Sequence, residues 1–149
     1  MTKFLLAVHV IAAIVAIGPV TVAASMFPPA ARRALTAPDD DNPAETLRLL
    51  HRICRVYAVV GVVVPVFGFA TASEMHVLGS AWLIVSIVLT ALAALVLGTL
   101  VLPAQTALVE GAGGRRNTAR LAMYTGLFNL LWAAVTVLMI VRPGSTTGA

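Results

Sequence analysis

The sequence predicts an all-α, polytopic membrane protein, an antiparallel bundle of four transmembrane helices. The 149 residues are 60% hydrophobic and only 11% charged, with a mean hydropathy of +0.97, whereas soluble domains average about 25% charged residues. Four stretches without Asp, Glu, Lys or Arg cover residues 4–27, 56–73, 77–109 and 121–141. Each stretch is long enough to cross a bilayer, which takes about 17–25 residues. These features exclude a soluble globule, a disordered chain and a nucleic-acid-binding domain.

Positive residues predict how the bundle is oriented. Two of the three loops are rich in arginine, and the opposite side carries only Lys3 and Arg142. Because positive residues accumulate on the cytoplasmic side, we expect both termini outside and the turn at residues 74–76 to face outward. The sequence thus predicts one membrane domain over residues 1–149, with spans at about 4–27, 53–73, 77–102 and 119–141 and cytoplasmic loops at 28–52 and 103–118. Nine Arg against one Lys favours a bacterium with a GC-rich genome, and we expect the protein in the bacterial inner membrane.

Prolines and capping residues predict where the helices end. The pair Pro28-Pro29 is expected to interrupt the first helix. Asn42 is a good N-cap, and it predicts a second helix that is continuous over residues 43–72. Pro103 is expected to bend the third helix near its cytoplasmic end.

Small and polar residues predict which helix faces point into the bundle, because in lipid they allow close packing and cross-helix hydrogen bonds. Each predicted span carries one such stripe at helical spacing. The stripes are His9, Ala12, Ala13, Ala16, Val20 and Ala23; then Tyr57, Gly61, Pro65, Gly68 and Ala72; then Gly79, Ser86, Thr90, Ala93 and Ala94; and finally Thr125, Gly126, Asn129, Ala133 and Thr136.

A layer of polar groups and prolines is expected near the bilayer midplane. Its members are Asn129, Thr90, Ser86, Pro19 and Pro65. Each proline deprives a carbonyl four residues earlier of its helical partner. We expect Asn129 to point inward and to hydrogen-bond Thr90, Ser86 or one of these carbonyls. The layer has two interpretations, a self-satisfied packing contact and a pocket or substrate path.

Histidines provide the candidate ligands. His9 lies on the inward stripe, and a cluster of His9, Glu74 and His76 on the outer side would suit copper or zinc. The alternative is that His9 hydrogen-bonds a neighbouring helix and His76 is solvated. A bis-histidine haem with His51 is opposed by a separation of about 20 Å along the membrane normal. We therefore expect no cofactor and no bound metal.

A basic stripe is predicted to contact anionic lipid headgroups at the cytoplasmic surface. A specific phosphate or partner site is the alternative. The residues concerned are Arg48, His51, Arg52 and Arg55 on the second helix, with Arg115, Arg116 and Arg120 before the fourth span.

Motifs for catalysis are missing from the sequence. It contains no HExxH, GxSxG or P-loop pattern, and no Asp or Glu lies within a predicted span. We expect that the protein is not an enzyme, and proton-coupled transport is disfavoured.

Two segments carry a family resemblance. The opening KFLLAVHVIAAIVAIGPVTVAA and the later RLLHRICRVYAVVGVVVPVFGFATA resemble a bacterial family of predicted integral membrane proteins of unknown function. The shared features fall at His9, Gly18-Pro19, Arg52 and Arg55. The resemblance implies four transmembrane helices and brings no activity. A more distant likeness is to the copper-resistance D membrane domain, which also places a His early in its first helix.

These observations predict a small inner-membrane protein that acts by binding or as an accessory or assembly component. Its expected partners are membrane lipids and a second copy or a larger membrane complex, and no nucleic acid. A homo-oligomeric transporter or channel is the first alternative. A metal- or haem-binding redox subunit that uses His9 is the second.

Overall fold

The computed structural model describes residues 1–37, 41–111 and 114–144. Parts of the two predicted cytoplasmic loops and the C-terminal tail lie outside these residues. The described elements are α1 (Thr2–Thr36), α2 (Asp41–Val60), α3 (Val63–Glu74), α4 (Ala81–Val96), a π-helical segment (Leu97–Val101), α5 (Leu102–Val109) and α6 (Arg115–Val141).

These elements make four helical spans, each long and apolar enough to cross a membrane. The first span is α1, the second α2 with α3, the third α4 to α5, and the fourth α6. The predicted all-α fold with four membrane-spanning helices is confirmed.

The tightest packing lies in the half of the bundle that adjoins the arginine-rich loops. There α1 packs against α2 and α6, and the π-helical segment and α5 pack against α6. The core of this half is built around Phe27, Phe128 and Leu121, all buried. A second, smaller cluster of Ala72, Trp82 and Leu83 lies toward the other end.

The first helix differs from the prediction at its prolines. Pro28 and Pro29 do not interrupt α1, which continues to Thr36. Proline inside a helix removes a hydrogen bond and costs about 3 kcal/mol. Here the next residues, Ala30 and Ala31, are buried in the main core, so tertiary packing offsets that cost.

The second span is broken where one continuous helix was predicted. α2 ends at Val60 and α3 begins at Val63. Pro65 has no N–H to give to the carbonyl of Gly61, and that carbonyl instead accepts from the Val64 N–H at 3.1 Å. The tightened turn thus satisfies the group that was expected to be free for Asn129.

The third span also differs at both ends from its prediction. Its helix begins at Ala81, after a turn, rather than at residue 77. In place of a simple bend at Pro103, the helix widens into the π-helical segment, and Pro103 falls in the first turn of α5. A proline is tolerated there because the first N–H groups of a helix lack helical partners.

Two helix faces can be compared with the predicted stripes. On α1 the prediction is confirmed, because Ala16, Val20 and Ala23 are buried whereas Val10 and Ile14 are exposed.

On α6 the predicted stripe coincides only partly with the buried face, since Thr125 is buried and Asn129 reaches Ser25 of α1. The buried residues are Thr118, Leu121, Thr125, Phe128 and Val135. Of the predicted set, Gly126, Ala133 and Thr136 are exposed. The large side chains of Leu121 and Phe128 fill the core and therefore set the rotation of this helix.

Candidate functional site

A cleft of about 1110 Å³ lies among the described residues. It is bounded by residues 6–21 of α1, 64–72 of α3, 82–94 of α4 and 129–140 of α6, with Met75, Val77 and Arg142 outside these helices. All four spans therefore line the cleft with the half that is remote from the arginine-rich loops. The walls are largely apolar, and few polar side chains line them. The polar ones are His9, Thr21, Thr71, Thr90, Asn129, Thr136 and Arg142.

One wall of the cleft is fixed by His9. Its Nδ1 lies 2.9 Å from the carbonyl oxygen of Val64. Since a carbonyl only accepts, Nδ1 carries the proton and donates. This bond ties α1 to the start of α3, next to Pro65. The structure therefore gives His9 the hydrogen bond to a neighbouring helix that one of its two interpretations predicts.

Gly68 allows this close approach. A Cβ placed on Gly68 would lie 2.9 Å from Cε1 of His9, a distance that real Cβ contacts essentially never show. We expect Gly68→Ala to displace the imidazole, to break its bond to Val64 and to lower the free energy of unfolding by about 1–3 kcal/mol. The measurement is a double-mutant cycle in detergent with His9→Ala. In that background Gly68→Ala should be nearly neutral, and additive losses would contradict the contact.

The floor of the cleft contains Asn129. Its Nδ2 donates to Oγ of Ser25 at 3.2 Å. Its Oδ1 is shielded and has no hydrogen-bond partner, and the same is true of Oγ1 of Thr125 one turn earlier. Among the described residues these are the two buried side-chain atoms left without partners. Because it is costly to leave a buried acceptor unpaired, a hydrogen-bond donor would be favoured next to Oδ1 of Asn129.

The predicted partners of Asn129 are wrong. Ser86 donates to the carbonyl of Trp82 at 2.8 Å, and Thr90 donates to that of Ser86 at 2.7 Å. Hydroxyls in helices commonly bond to the carbonyl one turn back, so both are satisfied within α4. Ser25 was not anticipated because it lies nearer the end of α1 that adjoins the arginine-rich loops.

The predicted midplane set is only partly brought together. Asn129, Thr90 and Pro65 line the cleft, but Pro19 and Ser86 do not. Gly18, the neighbour of Pro19, lines it instead.

The predicted outer ligand cluster does not form. His9 is bonded to Val64, whereas His76 is exposed and its Nδ1 lies 2.8 Å from the carbonyl of Ser73. In the part of the chain that the structure describes, no three His, Cys, Asp or Glu side chains are placed to hold a metal ion. Val64 lies 13 residues after His51, about 20 Å at the helical rise, so His9 and His51 belong to different levels of the bundle.

The basic stripe is exposed, with one exception. The arginines at positions 48, 52, 55, 115, 116 and 120 are all exposed, as headgroup contact requires. His51 instead joins α2 to α5, because its Nδ1 lies 3.0 Å from Oε1 of Gln105 and its Nε2 lies 3.3 Å from Oγ1 of Thr106.

Gln105 is a buried polar residue that the sequence did not predict as part of any site. It is fully buried, and its Nε2 donates to Sγ of Cys54 at 3.5 Å. Its position in an apolar stretch, two residues after Pro103, was the available signal.

Comparison with family models, with curated proteins and with solved structures gives no match for this chain. The geometry of the cleft is therefore the evidence that bears on function.

Proposed function

We propose that this chain is a bacterial inner-membrane protein that acts by binding, as an accessory component without catalysis. We further propose that its cleft holds an apolar, chain-like molecule taken from the bilayer. The cleft itself is the observation that supports this function. Binding sites for small molecules are concave and mainly apolar, with a few polar groups that fix orientation, and this cleft has that composition.

The size of the cleft supports a chain-like occupant. Asn129 on α6 and Arg142 directly after α6 stand at its two ends, 13 residues apart, which corresponds to about 20 Å of helix. One leaflet of the hydrocarbon core is about 15 Å thick. An acyl or prenyl chain that lies along α6 therefore matches the cleft in length.

The cleft is continuous with the outer surface of the bundle. Its rim includes Val10, Ile14 and Ile140, which are 47%, 68% and 67% exposed. These side chains would face lipid in a membrane. A molecule of the bilayer can thus enter sideways without crossing water.

The proposed orientation follows from the arginines. The exposed basic residues of α2 and α6 would contact anionic headgroups on the cytoplasmic side. Both termini and the cleft then belong to the outer side, in the outer leaflet. Association into a homo-oligomer or a larger complex remains part of the proposal.

A small-molecule transporter is the second candidate. One observation favours it, because the cleft occupies one half of the bundle while Phe27, Leu121 and Phe128 fill the other half. Transport would require that core to open.

Filling the cleft tests the proposed function. Gly18 lines the cleft and Gly126 does not, and around each of them a new Cβ would meet open space. We expect Gly18→Leu to abolish a lipid-sized adduct that native mass spectrometry detects on the wild-type protein released from detergent, since leucine would occupy the chain's path.

Gly126→Leu is the matched control and should keep the adduct. An adduct that survives Gly18→Leu, or a wild-type protein that carries none after purification in mild detergent, would contradict binding in the cleft.

A further inference from the structure

One cation lines the cleft at the end opposite Asn129. Arg142 follows α6 in a left-handed conformation, with φ of 46°, and its backbone N–H donates to the carbonyl of Leu138. Its Nε donates to the carbonyl of Met139 at 3.2 Å, and its guanidinium carbon lies 5.6 Å from the ring centre of Trp82. Groups on α6 and α4 thus hold this side chain at that end of the cleft.

The guanidinium of Arg142 keeps most of its capacity to donate hydrogen bonds. Nε is engaged, but no hydrogen bond within the described residues uses the two terminal nitrogens. Their N–H groups form a planar fork that suits phosphate oxygens. The residues that line the cleft include no Asp or Glu, so nothing in its wall neutralises the charge or offers a partner to a cationic headgroup.

Arg142 is also unusual because the sequence places few basic residues on its side of the bundle. On the predicted outer side the sequence places only two basic residues, Lys3 and Arg142, and Lys3 is not part of the cleft. A basic residue that is half-buried, stacked on an aromatic ring and set at the end of an apolar cleft has the features of a headgroup site.

We propose, resting on the proposed function, that the occupant is a phospholipid of the outer leaflet whose headgroup carries a net negative charge. Its phosphate binds the terminal nitrogens of Arg142, and one acyl chain lies along the cleft toward Asn129. A zwitterionic phospholipid carries the same phosphate, but its ammonium group finds no carboxylate in the wall, so the anionic lipid binds more tightly.

Intrinsic fluorescence gives a direct readout of the occupant. The chain has two tryptophans, Trp82 and Trp132, and both line the cleft. The purified protein is reconstituted in vesicles that contain increasing fractions of phosphatidylglycerol or of phosphatidylcholine with brominated acyl chains, which quench tryptophan on contact. Emission is normalised to that of each variant in unbrominated vesicles, because the residue at position 142 itself touches Trp82.

For the wild type we expect half-maximal quenching at about five- to tenfold lower content of the brominated anionic lipid, the effect of one basic residue on the binding of a headgroup with net negative charge. Arg142→Gln should remove this preference, and Arg142→Lys should retain part of it without the planar fork. Lys3→Gln is the matched control and should behave as the wild type. Circular dichroism verifies that each variant is folded.

The outcomes separate the two proposals. Equal quenching by both lipids that Gly18→Leu still reduces would overturn the anionic headgroup and leave chain binding intact. Quenching that Gly18→Leu does not reduce would overturn chain binding as well. Loss of the preference in Lys3→Gln to the same extent as in Arg142→Gln would show general surface charge and would also overturn the headgroup site.

Discussion

Phe27→Ala is expected to lower the free energy of unfolding by about 3–5 kcal/mol, the usual cost of removing a buried aromatic side chain. Phe27 is fully buried in the main core, where the aromatic ring fills the space between helices. Alanine would leave a cavity that rigid helices cannot collapse around. Reversible unfolding of the protein in mixed detergent micelles, with helical ellipticity as the signal, gives the loss directly.

Phe69→Ala is the matched control for this measurement. Phe69 is 51% exposed and borders the cleft instead of the core, so its removal should cost about 1 kcal/mol or less. Similar losses for the two variants would contradict the placement of the core in the half of the bundle that adjoins the arginine-rich loops.

Gln105→Ala has the second largest expected effect, a loss of about 2–4 kcal/mol in the free energy of unfolding. The side chain is fully buried and bridges His51 to Cys54. Its removal leaves both a cavity and buried polar groups without their partner. Detergent unfolding again supplies the measurement, and combination with His51→Ala gives the coupling of the pair, expected at about 0.6–1.7 kcal/mol.

The adjacent Thr106 provides the comparison for Gln105. It is exposed, and its hydroxyl lies 3.3 Å from Nε2 of His51. Thr106→Ala should therefore cost about 0.5 kcal/mol or less. A greater loss for Thr106→Ala than for Gln105→Ala would show that the exposed edge, and not the buried amide, holds α2 against α5.

Length and hydropathy were sufficient to predict the number of spans and the helical class. The lengths of uncharged stretches translate directly into bilayer crossings, and the small residues of α1 correctly marked its inner face. Local rules failed where tertiary packing outweighed them. Pro28 and Pro29 would end an isolated helix, but the burial of Ala30 and Ala31 keeps α1 continuous.

The site was harder to predict because it arises between helices. The small-residue rule predicted that the face of α6 that carries Asn129 points into the bundle, whereas the bulk of Leu121 and Phe128 decides which face fills the core. Cross-helix hydrogen bonds were expected from hydroxyls that are satisfied within α4. The cleft itself depends on how far α3 stands from α4 and α6, and no local pattern in one sequence encodes that distance.

A structure of the protein determined in a lipid nanodisc tests the central claim most directly. We predict elongated density in the cleft, alongside Gly18 and Ala133 and between the levels of Asn129 and Arg142, with a phosphate-sized feature at the guanidinium. A bundle in which α3 packs directly onto α4 and α6, so that these side chains close the cleft and no extra density remains, would contradict it.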